Sequence, residues 1–280
     1  MNHRVAKLRK QSIETAPHLD ITRARLYTQA YKLYEGTASI LRDRAFNHYM
    51  EHRPLCINPG ELIVGEKGDG PQGAPTFPEL CCHTLEDMEV LDSRDKISFR
   101  VSPEAKETQE QEIIPYWHQR SMRTRLFALM DEDWLACYRA GIFTEFMEQR
   151  GPGHTVGGDI FYKKGFLQLK AEIQTQLEGL DYLTDPEASA KGEQLRAMAI
   201  ACDAIMVYGH RYREYALKLA EAEKDEARRQ ELIQIADNCS VVPHHAPRTF
   251  YQALQMYWFV HIGVTSELNR QTGPAPFPLL

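Results

Sequence analysis

One histidine of the sequence lies where it could take part in proton transfer. His154 belongs to the run GPGHTVGGD at residues 151–159, and its small neighbours allow the backbone to approach a ligand closely. Imidazole can donate or accept a proton near neutral pH. A histidine in such an irregular segment can also hydrogen-bond a buried backbone group, and the residues by themselves favour that structural role.

The other clusters of reactive side chains lack the spacing of known sites. Cys81, Cys82 and His83 are adjacent, as are His244 and His245, whereas structural zinc sites use ligands separated by two to four residues. We therefore predict no metal site. The glycine-rich stretch also lacks the GxxxxGK[ST] spacing of a phosphate-binding loop, and the chain contains no GxSxG sequence around a serine nucleophile.

The overall composition excludes several classes of protein. Lys and Arg number 33 against 39 Asp and Glu, a net charge of −6, whereas general nucleic-acid binding requires a basic surplus. The longest apolar stretch, residues 256–264, is too short to cross a bilayer, and no apolar leader segment follows the amino terminus. Six cysteines without a CxxC pair are typical of reduced thiols. We expect a cytoplasmic protein that binds neither nucleic acid nor membrane.

Hydrophobic periodicity predicts a mainly α-helical chain. Helices are expected over about residues 20–36, 39–52, 131–140 and 161–180, and residues 186–237 are expected to form two long amphipathic helices or one bent helix. Ser102 and Pro103 have the types that begin a helix. A helix that is apolar on nearly all sides is expected from Thr249 and must be buried. The β-branched residues near Leu62–Val64 predict a strand.

Several short motifs make the chain similar to the amino-terminal part of one enzyme family. In chain order they are Ile21–Thr28, Gly60–Glu66, Phe77–Glu79, Ile114–Trp117, Gly153-His154 with Asp159, Pro247–Gln255 and Glu267–Asn269. In this order the chain resembles the glycyl radical enzymes of the pyruvate formate-lyase-like family. A second set is similar to those dehydratases of the family that act on hydroxylated proline: Glu66–Asp69, Gly73–Thr76, Cys81–Thr84, Phe143–Arg150, Pro152–Thr155 and Met256–Thr265.

The resemblance implies a fold and a radical reaction. Residues 1–269 would form the mainly α amino-terminal portion of an α/β barrel enzyme, and residues 270–280 an aberrant Pro-rich tail. In this family a radical-SAM activating enzyme installs a glycyl radical under anaerobic conditions, no further cofactor is bound, and the full-length enzyme is a homodimer. A cysteine thiyl radical then removes a hydrogen atom from the carbon next to the hydroxylated one, and water is lost. Hydroxyproline would give pyrroline-5-carboxylate.

Two positions carry over from the family to the substrate site. Phe146 matches a residue that lines the substrate pocket, and His154 matches a histidine that faces the substrate hydroxyl group in the dehydratases. A hydrogen-bond donor at His154 would help the hydroxyl group to leave as water. The resemblance thus favours a catalytic role for His154 over the structural one.

The resemblance also implies parts that the 280 residues do not contain. The thiyl cysteine, its acid–base glutamate and the radical glycine are expected beyond residue 280, and Cys81-Cys82 do not replace them. After Asn269 the dehydratases continue with a segment of the type Trp-Asp-Ala-Phe, which supplies a pocket carboxylate, whereas Arg270–Leu280 departs from that pattern. We expect from this a truncated, frame-shifted or miscalled gene product that is inactive alone.

Three alternatives remain open at the level of sequence. Within the family they are a glycerol or propanediol dehydratase and a formate C-acetyltransferase, and the presence of His154 argues against the second. In a different class, the chain could be a non-catalytic helical fragment or an accessory subunit.

Overall fold

The computed structural model describes residues 2–143 and 158–267, and 65% of these residues are helical. The prediction of a mainly helical chain is confirmed. In chain order the elements are α1 (His3–Glu14), β1 (His18–Asp20), α2 (Thr22–Leu33), α3 (Ala38–His52), β2 (Gly73–Pro75), α4 (Leu85–Ser93), α5 (Pro103–Thr108), a π-helical turn (Gln109–Ile113), α6 (Ile114–Trp117), α7 (Met122–Phe127), α8 (Glu132–Arg139), α9 (Ile160–Lys163), α10 (Phe166–Glu178), α11 (Ala188–Ala222), α12 (Glu226–Val241) and α13 (Phe250–Glu267).

The long helix α11 is the centre of the larger hydrophobic core. Helices α3, α10 and α12 pack against it, and α2 packs on α3. Tyr208 and Tyr212 of α11 are buried and lie with their rings 5.0 Å apart, edge to face. Phe259 of α13 completes this aromatic group, 5.5 Å from the Tyr208 ring. The predicted burial of α13 is therefore confirmed at its centre, where Met256 and Phe259 have no exposed surface.

A smaller core lies beside the amino-terminal helices. It joins Leu19 of β1 to Met88 of α4 and to Trp117 at the end of α6. The indole Nε1 of Trp117 donates a hydrogen bond of 2.8 Å to Thr28 Oγ1, and its ring meets the Tyr31 ring at 4.9 Å. This core attaches the residues after β2 to the helical layer.

Strand structure is sparse in the described part of the chain. There β1 and β2 form a parallel two-stranded sheet, with His18 opposite Gly73 and Asp20 opposite Pro75. One isolated bridge adds Arg100 next to His18. The barrel that the family resemblance implies is not formed by these residues.

The predicted strand at Leu62–Val64 is wrong. The segment pairs with no other strand, because its backbone partner is a side chain of the buried helix. Gln255 Nε2 donates to the carbonyl oxygen of Val64 at 2.8 Å, and Gln255 Oε1 accepts from the Val64 N–H at 2.9 Å. An amide side chain thus takes the place of a neighbouring strand, since it offers the same donor and acceptor.

Two helix starts show how far local signals reach. Ser102 caps α5 as predicted, because its Oγ accepts from the Ala105 N–H at 3.1 Å. The single helix predicted over 161–180 is instead divided into α9 and α10 at Gly165. There the chain passes so close to the backbone of His244 that a Cβ on Gly165 would lie 2.1 Å from the His244 carbonyl oxygen.

Candidate active site

The two predicted site residues, Phe146 and His154, lie outside the described residues. The structure does describe both flanks of their segment, which end at Phe143 and resume at Gly158. The elements that hold these flanks determine where the chain leaves and returns.

An aromatic cluster holds the upstream flank. Helix α8 begins at Asp131, whose carboxylate accepts from the Trp134 N–H at 2.8 Å. The Trp134 ring stacks on Tyr138 at 5.6 Å and meets Phe127 at 5.3 Å. Phe143 contacts the same indole at 5.0 Å. The chain therefore leaves the described region from a packed aromatic group.

The downstream flank returns to the buried helix. Helix α9 contacts α13, where burial and the neighbouring phenol of Tyr257 raise the pKa of Tyr162. On α13 the His261 ring stacks on Trp258 at 5.2 Å and on Tyr257 at 5.9 Å. Burial and the nearby Lys67 lower the pKa of His261, so its imidazole is neutral at pH 7. In the described structure, α9 therefore contacts the helix that carries this group of aromatic rings.

Helix α13 also holds the extended segment that contains Leu62–Val64. Besides the Gln255 pairing, Trp258 Nε1 donates to the Gly65 carbonyl oxygen at 2.7 Å, and the Tyr251 hydroxyl donates to the Leu62 carbonyl oxygen. Gly65 has φ +131°, and a Cβ there would lie 3.2 Å from the Trp258 ring. Glycine is therefore required at this close approach.

A buried arginine holds the next residues of the same segment. Arg53 is 1% exposed, and its Nη2 donates to the carbonyl oxygens of Glu66 at 2.5 Å, of Lys67 at 3.1 Å and of Gly68 at 2.9 Å. Burial and the neighbouring Glu61 raise the pKa of Glu66 to about 7, although Arg53 opposes this. Glu66 can consequently gain or lose a proton near neutral pH.

A second buried arginine connects the residues after β2 to the end of α13. Arg23 is fully buried and pairs with the Glu79 carboxylate at 2.6 Å. Its Nε donates to the Ser266 carbonyl oxygen at 2.6 Å, and its guanidinium lies over the Phe77 ring at 4.0 Å. At the next residue, Glu267 accepts from Arg42 Nε at 2.7 Å. These two arginines therefore hold the last described turn of α13.

This arrangement corresponds to a known family. The family described as pyruvate formate lyase-like matches residues 1–275. The chain belongs to the pyruvate formate lyase-like family. The family resemblance predicted from the sequence motifs is therefore confirmed.

Individual relatives within the pyruvate formate lyase-like family match nearly the whole chain. It is 58% identical over 268 residues to trans-4-hydroxy-L-proline dehydratase of Clostridioides difficile, covering 95% of this chain and 34% of that protein. The crystal structure of hydroxyproline dehydratase from Clostridioides difficile with trans-4-hydroxy-L-proline bound has a TM-score of 0.91 and 56% identity, with the same coverage. Glycerol dehydratase from Clostridium butyricum has a TM-score of 0.89 and 28% identity, covering 96% of this chain and 34% of that one. The chain thus spans about a third of the length of these relatives.

The contacts of α13 and the two arginines hold the motifs that identify this pyruvate formate lyase-like chain. Gly60–Glu66 is bound along α13 and by Arg53, and Phe77–Glu79 is bound by Arg23. Sequence reasoning missed both arginines, because arginine is usually exposed and no local pattern marks a buried one. The one indication of them in the sequence is the presence of segments outside regular structure, whose backbone carbonyl oxygens need buried donors.

Cys81 and His83, from the run of adjacent cysteine and histidine residues, line a cavity. The cavity has a volume of about 610 Å³, and its lining includes Leu19, Phe77, Cys81, His83 and Met88. Burial raises the pKa of the adjacent Cys82 thiol to about 11, so it stays protonated at neutral pH. Over residues 2–143 and 158–267, no group of three neighbouring ligands includes Cys81, Cys82, His83, His244 or His245.

The described helices can be compared with the length and hydropathy of a membrane-spanning helix. Within residues 2–143 and 158–267, none of them combines the length and the apolar character needed to span a bilayer.

Proposed function

We propose that the chain is the amino-terminal part of a glycyl radical dehydratase that removes water from trans-4-hydroxy-L-proline to give pyrroline-5-carboxylate. The observation that carries this proposal is the difference in identity between two relatives of similar fold. Hydroxyproline dehydratase and glycerol dehydratase match with TM-scores of 0.91 and 0.89, but with identities of 56% and 28%. The fold is shared by both enzymes, so the higher overall sequence identity to hydroxyproline dehydratase is what favours the first substrate.

The remaining parts of the enzyme follow from the same resemblance. The rest of the protein would supply the α/β barrel, the thiyl cysteine and the glycine, and a radical-SAM activating enzyme would act on the assembled homodimer. The stored radical would generate the cysteine thiyl radical that abstracts a hydrogen atom from the substrate carbon.

The residues of this chain would act on the departing hydroxyl group and on the position of the substrate. His154 would donate a proton to the hydroxyl oxygen as the C–O bond breaks, so that the oxygen leaves as water. Phe146 would form an apolar wall against the substrate ring. The packed aromatic group at Phe143 and the contact of α9 with α13 would fix the two ends of the segment that carries them.

The test uses a full-length enzyme whose amino-terminal part carries the sequence motifs of this chain. The enzyme is activated under anaerobic conditions. Glycyl radical content is measured by electron paramagnetic resonance, alongside turnover of hydroxyproline, glycerol and propanediol. His154→Ala should lower hydroxyproline turnover by about 10²–10⁴-fold with the radical intact, since general acid assistance has this magnitude. Phe146→Ala should mainly raise KM. His118→Ala, at an exposed position on another helix end, is the control.

Each result separates the alternatives. Turnover of a diol in preference to hydroxyproline would refute the substrate proposal. Normal turnover by His154→Ala would make that histidine structural, and loss of the radical together with turnover would give it a role in folding. If the wild-type enzyme formed no radical after the activation treatment, the alternative of a non-catalytic fragment or accessory subunit would be favoured.

A further inference from the structure

Three potential metal ligands lie together on helix α3. None of them belongs to the candidate sites considered in the sequence analysis. His48, Glu51 and His52 have spacings of three and four residues, which place them on one face of the helix. One ligand atom from each, a ring nitrogen or a carboxylate oxygen, lies within 4.8 Å of the other two. The group is a property of this fold and is independent of the radical chemistry proposed above.

The three side chains differ in exposure as a half-open site requires. His48 is only 9% exposed, Glu51 is half-buried and His52 is exposed. An ion can therefore enter from solvent past His52 and reach a ligand that is fixed in the protein.

His48 is the buried base of this group. Its Nδ1 has no hydrogen-bond partner among the described residues. A buried polar atom without a partner is costly and rare in proteins, and a metal ligand bond is one way to satisfy it. The ring is held by the Tyr34 edge at 5.9 Å and stacks on the His52 ring at 4.2 Å.

The other two ligands are oriented by hydrogen bonds of their own. His52 Nδ1 lies 2.8 Å from the His48 carbonyl oxygen, which can only accept, so Nδ1 carries the proton and Nε2 keeps its lone pair. Glu51 Oε1 accepts from Asn47 Nδ2 at 2.8 Å, which leaves its second oxygen available. Such hydrogen bonds behind the ligands are the usual support of metal-binding histidines and carboxylates.

One cation near Glu51 is bound to backbone carbonyl groups. Arg211 belongs to the facing helix α11 and lies near Glu51 of α3. Its guanidinium donates to the Met50 carbonyl oxygen at 2.7 Å and to the Arg53 carbonyl oxygen at 2.8 Å. The carboxylate of Glu51 is thus not neutralised by a direct ion pair in the described structure.

We propose that His48, Glu51 and His52 bind a divalent transition-metal ion of the zinc type. Two imidazole nitrogens and one carboxylate oxygen are a donor set that Zn²⁺ accepts, with a fourth position open to water. Bonds of about 2.0–2.1 Å in a tetrahedral shell place ligand atoms about 3.3 Å apart. Binding therefore draws the exposed His52 and the half-buried Glu51 toward the buried His48.

The experiment titrates the 280-residue chain, freed of metal by a chelator, with Zn²⁺ alone. Binding is followed by calorimetry, and Co²⁺ is used as a spectroscopic probe of nitrogen and oxygen ligands. We expect one equivalent of Zn²⁺ to bind and to raise the Tm, since an ion that binds only the folded state stabilises it. His52→Ala and Glu51→Gln should each weaken binding at least tenfold, which is the smaller effect that even supporting residues have on metal affinity.

His118→Ala is the matched control, because His118 is also an exposed histidine near a helix end. The control should bind Zn²⁺ as the wild type does, with the same rise in Tm. Because Glu51 is only half-buried and His52 is exposed, we expect both variants to fold. Circular dichroism verifies this for each variant. Equal affinity in the wild type, His52→Ala and Glu51→Gln would overturn the proposal, as would an equal loss in His118→Ala.

Discussion

The pairing of Gln255 with Val64 makes the free energy of unfolding sensitive to one side-chain amide. Gln255 is 1% exposed and satisfies both backbone groups of Val64, a residue that has no exposed surface. In Gln255→Met the new side chain has a similar length and helix propensity but no hydrogen-bonding amide. Water cannot replace the amide at a buried position, so the Val64 N–H and carbonyl oxygen both lose their partner.

The expected loss follows from these two groups. Each buried polar group without a partner costs about 1–3 kcal/mol, so Gln255→Met should lower the free energy of unfolding by about 2–6 kcal/mol. With about 2–4 °C per kcal/mol for a chain of this size, the Tm should fall by about 4–24 °C. Thermal and urea denaturation of the two proteins measure this difference. Hydrogen exchange should also become faster at residues 61–66, where the backbone is released from α13.

The control is Gln174→Met on the exposed face of α10, where the amide donates a hydrogen bond to the Glu178 carboxylate on the protein surface. That variant should unfold within about 0.5 kcal/mol of the wild type, as surface substitutions usually do. If Gln255→Met were as stable as Gln174→Met, with unchanged exchange at residues 61–66, the amide would not be what holds this segment. The account of the missing strand would then be refuted.

Two further perturbations test the electrostatics and the close packing. Because burial and the neighbouring Glu61 raise the pKa of Glu66 from 4.5 to about 7, the folded state loses stability as the pH rises through this interval. Glu66→Gln should therefore equal the wild type at pH 4 and exceed it by about 1–3 kcal/mol at pH 8, after allowance for partial exposure; a constant difference across pH would contradict this. Gly165→Ala, whose Cβ would meet the His244 carbonyl oxygen at 2.1 Å, should lose about 1–3 kcal/mol in urea denaturation. Gly70→Ala, with no atom within 4 Å, should not, and equal losses would refute the clash.

The helices of this protein are determined largely by local sequence. The apolar run after Thr249 predicts α13, and Ser102 predicts the start of α5, because helix periodicity and capping depend on residues within one or two turns. The family is determined in the same way, since its motifs are short runs in a set order. His48, Glu51 and His52 are likewise on one face of α3 by spacing alone.

The contacts that hold the candidate site are decided only by the tertiary structure. The segment at Leu62–Val64 has the composition of a strand, yet its partner is Gln255, 191 residues away along the chain. Burial of Arg53 and Arg23 likewise depends on carbonyl groups that the fold brings to them. Nothing local marks these pairings, because a backbone group can be satisfied by any donor or acceptor that the fold places within reach.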